Sequence, residues 1–168
     1  MLITDPNLLK QYNTPKRLWQ GIPSIEVTPK GRIFITFYAG GVKEQIGNYA
    51  VVLKSDDGIN FSEPIAAMYE EDHRCYDSCL WIDPLGRLWL TWARSPHDGV
   101  FGSICDDPDA DELVWGPEFF IGNNIMMNKP TVISTGEWLF PIAVWNYGIR
   151  SIPAEYDSPI TPKLSFAY

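Results

Sequence analysis

The sequence reads GRIFITF at residues 31–37 and GRLWLTW at residues 86–92, with a weaker copy, GEWLFPI, at residues 136–142. The leading glycines lie 55 and then 50 residues apart. A short apolar run precedes each copy, and in the first two a turn with Pro and Gly at matching places follows that run. Because two strand-like segments flank a turn signal, each unit predicts a β-hairpin.

The second half of each unit also repeats. Residues 49–54 predict a third strand, and a tight turn at 56–58 leads to the segment 61–65. Residues 102–105 and 115–121 follow the same plan, and the aromatic residues Phe61 and Trp115 lie 54 positions apart. Four short strands in a repeat of this length are typical of a β-propeller blade, and a β-sandwich is the alternative.

We therefore predict an all-β chain, a single partial β-propeller over residues 1–168. Its blades cover roughly residues 17–66, 74–121 and 127–168, the last one incomplete. Since propellers close with about four to eight blades, three are too few. We expect the chain to be a natural part or a truncated product of a longer protein, with self-association covering the open edge.

Composition excludes several classes of function. The formal net charge is −8, and no basic stripe is visible, so we expect no nucleic-acid partner. No apolar run is long enough for a membrane span or a signal peptide. We therefore expect a cytoplasmic protein, with a secreted form as the alternative.

The cysteines favour the same compartment. His73 lies close to Cys75 and Cys79, but no second ligand pair follows at a zinc-site distance, and the spacing of Cys75, Cys79 and Cys105 matches no standard zinc pattern. We expect free, buried thiols, as in a reducing compartment, and neither a metal nor a cofactor. The acidic run at residues 106–112 predicts a solvated turn, with calcium binding as the alternative.

The stretch KSDDGINF at residues 54–61 resembles the Asp box of sialidases and related propellers. Asp56, Gly58 and Phe61 match that pattern, whereas Lys54 and Asn60 replace its Ser/Thr and Thr. We expect Asp56 to accept backbone N–H bonds, Gly58 to adopt a positive φ and Phe61 to pack between sheets. The resemblance covers most of residues 17–145 and implies a sialidase-type (neuraminidase-like, BNR-repeat) propeller with six blades when complete.

In that family, three arginines hold the sialate carboxylate, an Asp is the acid/base, and a Tyr activated by a Glu is the nucleophile. The first arginine belongs to an Arg-Ile-Pro motif, where this chain reads Gly21-Ile22-Pro23. This departure shifts the prediction from a true sialidase towards another acidic-sugar hydrolase or a lyase.

The loops before the first strand and between the second and third strands of each unit open on the functional face of such a propeller. There we predict Asp77 and Glu44 as catalytic residues, with a turn-capping role as the alternative for Asp77. Arg74 could pair with Asp77 or bind a substrate carboxylate, and Trp19 could stack on a sugar or belong to the core. The predicted substrate-binding residues are Arg74, Lys129, Asn128, Trp19, Gln20, His97 and Arg150.

The sequence thus predicts a carbohydrate-active protein whose partner is a glycan containing an acidic sugar. In its full-length form it would be an exo-sialidase-like glycoside hydrolase, and this part alone would be inactive. The alternatives are a polysaccharide lyase on the same scaffold and a non-catalytic propeller that binds a glycan or a protein.

Overall fold

A computed structural model describes residues 1–95 and 99–143, except for the side chain of Lys16. The described chain is built from antiparallel β-sheets, with one short helix, α1 (Pro6–Leu9), and two 3-10 turns at Lys10–Tyr12 and Thr14–Lys16. The all-β prediction is therefore confirmed.

The first sheet has five strands in the order β1-β5-β4-β3-β2. Strands β2 to β5 are consecutive neighbours, as hairpin connections require. Strand β1 comes from the amino terminus and pairs Leu2 with Met68 of β5. The strands are β1 (Leu2–Ile3), β2 (Trp19–Val27), β3 (Ile33–Gly40), β4 (Tyr49–Ser55) and β5 (Ala66–Met68).

The second sheet has four strands that follow the chain order. A third hairpin comes after it as two short paired segments. The strands of the second sheet are β6 (Arg74–Ile82), β7 (Leu88–Ser95), β8 (Gly99–Cys105) and β9 (Phe119–Asn123), and those of the third hairpin are β10 (Ile125–Met126), β11 (Thr131–Val132), β12 (Trp138–Leu139) and β13 (Ile142–Ala143). Within the described residues no sheet closes on itself.

The three predicted hairpins turn in the same way. The amides of Gly31, Gly86 and Gly136 donate to the carbonyl three residues earlier, each over 2.9 Å. The φ angles of these glycines are 93°, 81° and 92°, a conformation that side-chain-bearing residues rarely adopt. The repeat read from the glycine spacing is therefore present in the backbone.

Both long first strands also carry the same irregularity. The register of β2 against β3 shifts between Gly21 and Ser24, and that of β6 against β7 shifts between Tyr76 and Cys79. Inside these bulges, Ile22 and Asp77 have φ angles of 48° and 47°. A bulge changes the direction of the side chains beside it. Because both units carry the same bulge, the side chains at equivalent positions point in similar directions.

The main core lies between the first and second sheets. Phe34, Val52, Leu80 and Leu90 are each fully buried in it, and burying one such side chain stabilises the fold by roughly 1.5–3 kcal/mol. The alternation of strand side chains places one face of each sheet in this layer. The hydroxyl groups of Thr36 and Ser78 meet across it at 2.8 Å.

The Asp-box turn differs from its predicted register. Asp57, not Asp56, accepts from the backbone amides of Ile59 and Asn60, at 2.8 and 2.7 Å. These bonds hold the pKa of the Asp57 carboxyl well below its usual range. Asp56 instead accepts from Nε of Arg32 at 2.6 Å.

Two other details of this region also differ from prediction. Gly58 has the expected positive φ of 74°, but Phe61 is 40% exposed and does not fill space between sheets. The segment 61–65 forms no strand, and the fourth strand is β5 at Ala66–Met68. Pro64 lies within that segment and lacks the amide that a ladder would need.

Candidate functional site

The candidate site lies where β3 ends and β6 begins, at the end of the sheets opposite the repeated glycine turns. The loop 41–48 after β3 runs beside the segment that enters β6. The amide of Gly47 donates to the carbonyl of His73 at 2.7 Å, and that of Cys75 to the carbonyl of Asn48 at 3.0 Å. These bonds fix the loop of one sheet to the first strand of the next.

Asn48 shapes the loop from inside. It is fully buried, its Oδ1 accepts from the amide of Gln45 at 2.6 Å, and its Nδ2 donates to the carbonyl of Lys43 at 3.3 Å. A Cβ on Gly40 would overlap Nδ2 of Asn48 and lie 3.2 Å from its Cα. Glycine at position 40 therefore lets Asn48 pack here, and Asn48 in turn places Glu44.

Glu44 receives two hydrogen bonds from the two sheets. The hydroxyl of Tyr38, at the end of β3, donates to Oε1, and Nη1 of Arg74, at the start of β6, donates to Oε2 at 3.0 Å. The Arg74 guanidinium also lies 3.9 Å from the centre of the Tyr76 ring, a cation–π contact. Burial and the bond to Glu44 raise the pKa of Tyr38, so its hydroxyl keeps its proton.

Asp77 lies in the bulge of β6 and is only 7% exposed. Burial raises the pKa of its carboxyl from 3.8 to about 6, Glu44 adds to that rise, and the positive charge of Arg74 opposes it. Within the described residues, no side-chain or backbone donor bonds this carboxyl. No hydrogen bond among the described residues therefore supports the turn-capping alternative for Asp77.

Tyr38, Glu44, Arg74 and Asp77 form what we call the carboxyl cluster. One carboxyl, Asp77, favours its protonated form into the mildly acidic range, and the other, Glu44, is held by two donors. A carboxyl group whose pKa is raised, close to a second carboxyl group that accepts hydrogen bonds, suits general acid–base chemistry.

Two further predicted residues lie on β2, beside the cluster. The Trp19 ring meets Tyr38 edge-on, with centroids 4.9 Å apart, and is partly exposed and packed against the main core. Gln20 is exposed and pairs with Ala39 across the ladder. Trp19 is thus in part a core residue, and its stacking on a sugar stays a prediction.

The predictions for Lys129 and Asn128 do not bring these residues into the cluster. Nζ of Lys129 donates to the carbonyl of Ile25 at 2.7 Å and to Oε2 of Glu26 at 2.9 Å. Glu26 lies seven positions along β2 from Trp19, a separation of roughly 20 Å on a strand. Asn128 is exposed and accepts from the amide of Lys129. The predicted residues His97 and Arg150 lie outside the described residues.

Sequence reasoning missed Tyr38 and Asn48. Tyr38 follows Gly31 by seven positions, where the second unit has Ala93. A phenol side chain at a position where the second unit has only a methyl group is a difference that could have identified Tyr38 as a candidate site residue. Asn48 carried no such signal. Its side-chain amide bonds the backbone of Gln45 and Lys43 only in the folded loop, and no sequence pattern indicates these bonds.

Outside the carboxyl cluster, the described residues give less evidence of a functional site. In the part of the chain that the structure describes, no group of three or more His, Cys, Asp or Glu side chains could hold a metal ion, and no helix is long and apolar enough to cross a membrane. A groove of about 410 Å³ lies near α1 and the Asp-box turn, lined among others by Leu9, Lys54 and Glu63. None of the predicted site residues lines it.

The chain was also compared with known proteins. No protein-family model matches it, and no curated protein shows significant similarity to it. Its function therefore has to be argued from the carboxyl cluster.

Proposed function

We propose that the chain belongs to a carbohydrate-active protein that hydrolyses a glycosidic bond at the carboxyl cluster. The observation that carries this proposal is the buried Asp77 carboxyl, whose pKa is raised chiefly by burial and further by the nearby Glu44. Glycoside hydrolysis needs one carboxylic acid to protonate the leaving oxygen and one carboxylate to assist attack or stabilise charge.

The two carboxyls suit different halves of that reaction. Asp77, with its pKa raised to about 6, holds a proton in mildly acidic solution and would donate it to the glycosidic oxygen. Glu44 would act as the carboxylate, oriented by Tyr38 and Arg74. The buried phenol of Tyr38, which is 2% exposed, would position Glu44 and not attack the sugar.

We also propose that the stacked sheets are blades of a sialidase-type propeller. The support is the shared turn at Gly31, Gly86 and Gly136 and the shared bulge at Ile22 and Asp77. That family implies an acidic sugar, and the prediction rested on Arg74 and Lys129. Both cations are already engaged, by Glu44 and Glu26.

Two further expectations remain proposals. Self-association is supported by Ile25 and Val27, which are 54% and 48% exposed on the face of β2 opposite Ser24, whose hydroxyl meets the second sheet. A reducing compartment such as the cytoplasm is supported by the three buried free thiols, Cys75, Cys79 and Cys105.

Hydrolysis of a panel of chromogenic glycosides by the full-length protein tests the function, because this part alone is expected to be inactive. We expect turnover that declines above about pH 6 as Asp77 loses its proton. Asp77→Asn and Glu44→Gln should each reduce kcat by about 10²-fold or more, the usual contribution of an acid–base residue. The control, Glu71→Gln, changes an exposed carboxylate and should leave turnover unchanged.

Unchanged turnover in both cluster variants would overturn the assignment of the site. Glycan binding without turnover by the unmodified full-length protein would support the non-catalytic alternative instead.

A further inference from the structure

The ring of Trp19 occupies the space over Gly21. A Cβ built on Gly21 would lie 3.0 Å from Cη2 and 3.2 Å from Cζ2 of this indole, closer than side chains normally approach. The edge-on contact with Tyr38 holds the ring from another side. The absence of a side chain at position 21 therefore allows a partly exposed aromatic ring beside the carboxyl cluster.

The charges of the cluster do not favour an anion. Arg74 is bonded to Glu44 and lies on the Tyr76 ring, so its positive charge is already neutralised. Lys129 is bonded to Glu26 at the other end of β2. A ligand carboxylate placed between Trp19 and Asp77 would meet the negative field of Glu44 and, above about pH 6, that of Asp77.

We propose that the site takes an uncharged sugar, whose apolar ring face packs on Trp19 while its hydroxyl groups donate to Glu44 and Asp77. Sugar rings present C–H groups on one face, which pack on an aromatic ring by dispersion and burial of apolar area. Hydroxyl donors suit carboxyl acceptors, whereas a carboxylate does not. This inference rests on the proposed function and names its class of substrate.

Titration of the chain with sugars, followed by ligand-observed NMR, tests the inference. The probes are uncharged saccharides (cellobiose, lactose and N-acetylglucosamine) and acidic ones (sialyllactose and glucuronic acid). We expect binding of at least one uncharged sugar and affinity at least about tenfold lower for every acidic one, a difference of about 1.4 kcal/mol.

Trp19→Ala should weaken the uncharged sugar about tenfold or more, because it removes the stacking surface. If that variant fails to fold, Gly21→Ala serves in its place, since the new Cβ crowds the indole and shifts it slightly, with a smaller loss of affinity, and keeps the core aromatic. The control is Phe61→Ala, which removes an exposed aromatic ring in the Asp-box turn and should not change binding.

The outcomes separate this inference from the proposed function. Equal or tighter binding of an acidic sugar would overturn the inference and leave a carbohydrate-active site, with Lys43 in the loop of Glu44 as the cation to examine. Undiminished binding by Trp19→Ala and Gly21→Ala would also overturn it. Failure of every sugar to bind would overturn the inference and the proposed function together.

Discussion

Replacing Asp77 with Asn should stabilise the protein at neutral pH and not in acid. The folded protein raises the pKa of this carboxyl from 3.8 to about 6, chiefly through burial. Between those two values the folded state holds a proton that the unfolded state has released. The free energy of unfolding therefore falls as the pH rises through this window, and the full penalty is present above it.

The size of the effect follows from the shift. A difference of about two pKa units corresponds to about 3 kcal/mol, at roughly 1.4 kcal/mol per unit. Asn has nearly the same shape, tolerates the positive φ of this position at least as well as Asp, and has no charge to bury. The difference in the free energy of unfolding between Asp77→Asn and the unmodified chain should therefore rise by about 3 kcal/mol from acid to neutral pH, or roughly 6–12 °C in Tm.

Denaturant unfolding followed by tryptophan fluorescence, from about pH 4 to about pH 7.5, measures this gain. The difference between Asp77→Asn and the unmodified chain should grow across the window and then level off. The control, Asp111→Asn, replaces an exposed aspartate and should bring no comparable gain. A difference that does not change with pH, or a loss of stability at neutral pH, would refute the reasoning.

Two other substitutions test residues that hold the loop of Glu44 and the Asp-box turn in place. Gly40→Ala should cost about 1–3 kcal/mol, as overpacking does, and should reduce any activity that depends on Glu44, because the new Cβ forces Asn48 and its loop to move. The control, Gly41→Ala, meets only the amide end of Gln45 and should cost little in thermal melting. Asp57→Ala should lower Tm more than Asp56→Ala, since Asp57 accepts two backbone amides of the turn. The opposite order would restore the register predicted from the sequence.

The repeat was predictable because its signals are local. A glycine with positive φ and the strands on either side of it lie within about ten residues of each other, so the sequence pattern alone indicates the hairpins. Strand β1 was not predictable in this way, since Leu2 pairs with Met68 and no short-range pattern links them. The register of the Asp-box turn was missed for a different reason: the pattern selects Asp56, but in the fold Asp56 bonds Arg32 and the adjacent Asp57 accepts the turn amides.

The repeat predicts where Asp77 lies in the fold, but it does not explain why this position carries an acidic side chain. Ile22 occupies the equivalent bulge with nearly the same φ, although a β-branched residue is unfavourable in that conformation. The fold therefore imposes this backbone whatever side chain is present, and the tolerance of Asp for positive φ does not explain its choice. Turn capping does not explain the choice of Asp either, because no donor among the described residues bonds the carboxyl. A buried carboxyl that the backbone does not need, and that costs about 3 kcal/mol at neutral pH, is better explained by chemistry at the carboxyl cluster, because functional sites are where proteins retain such costs.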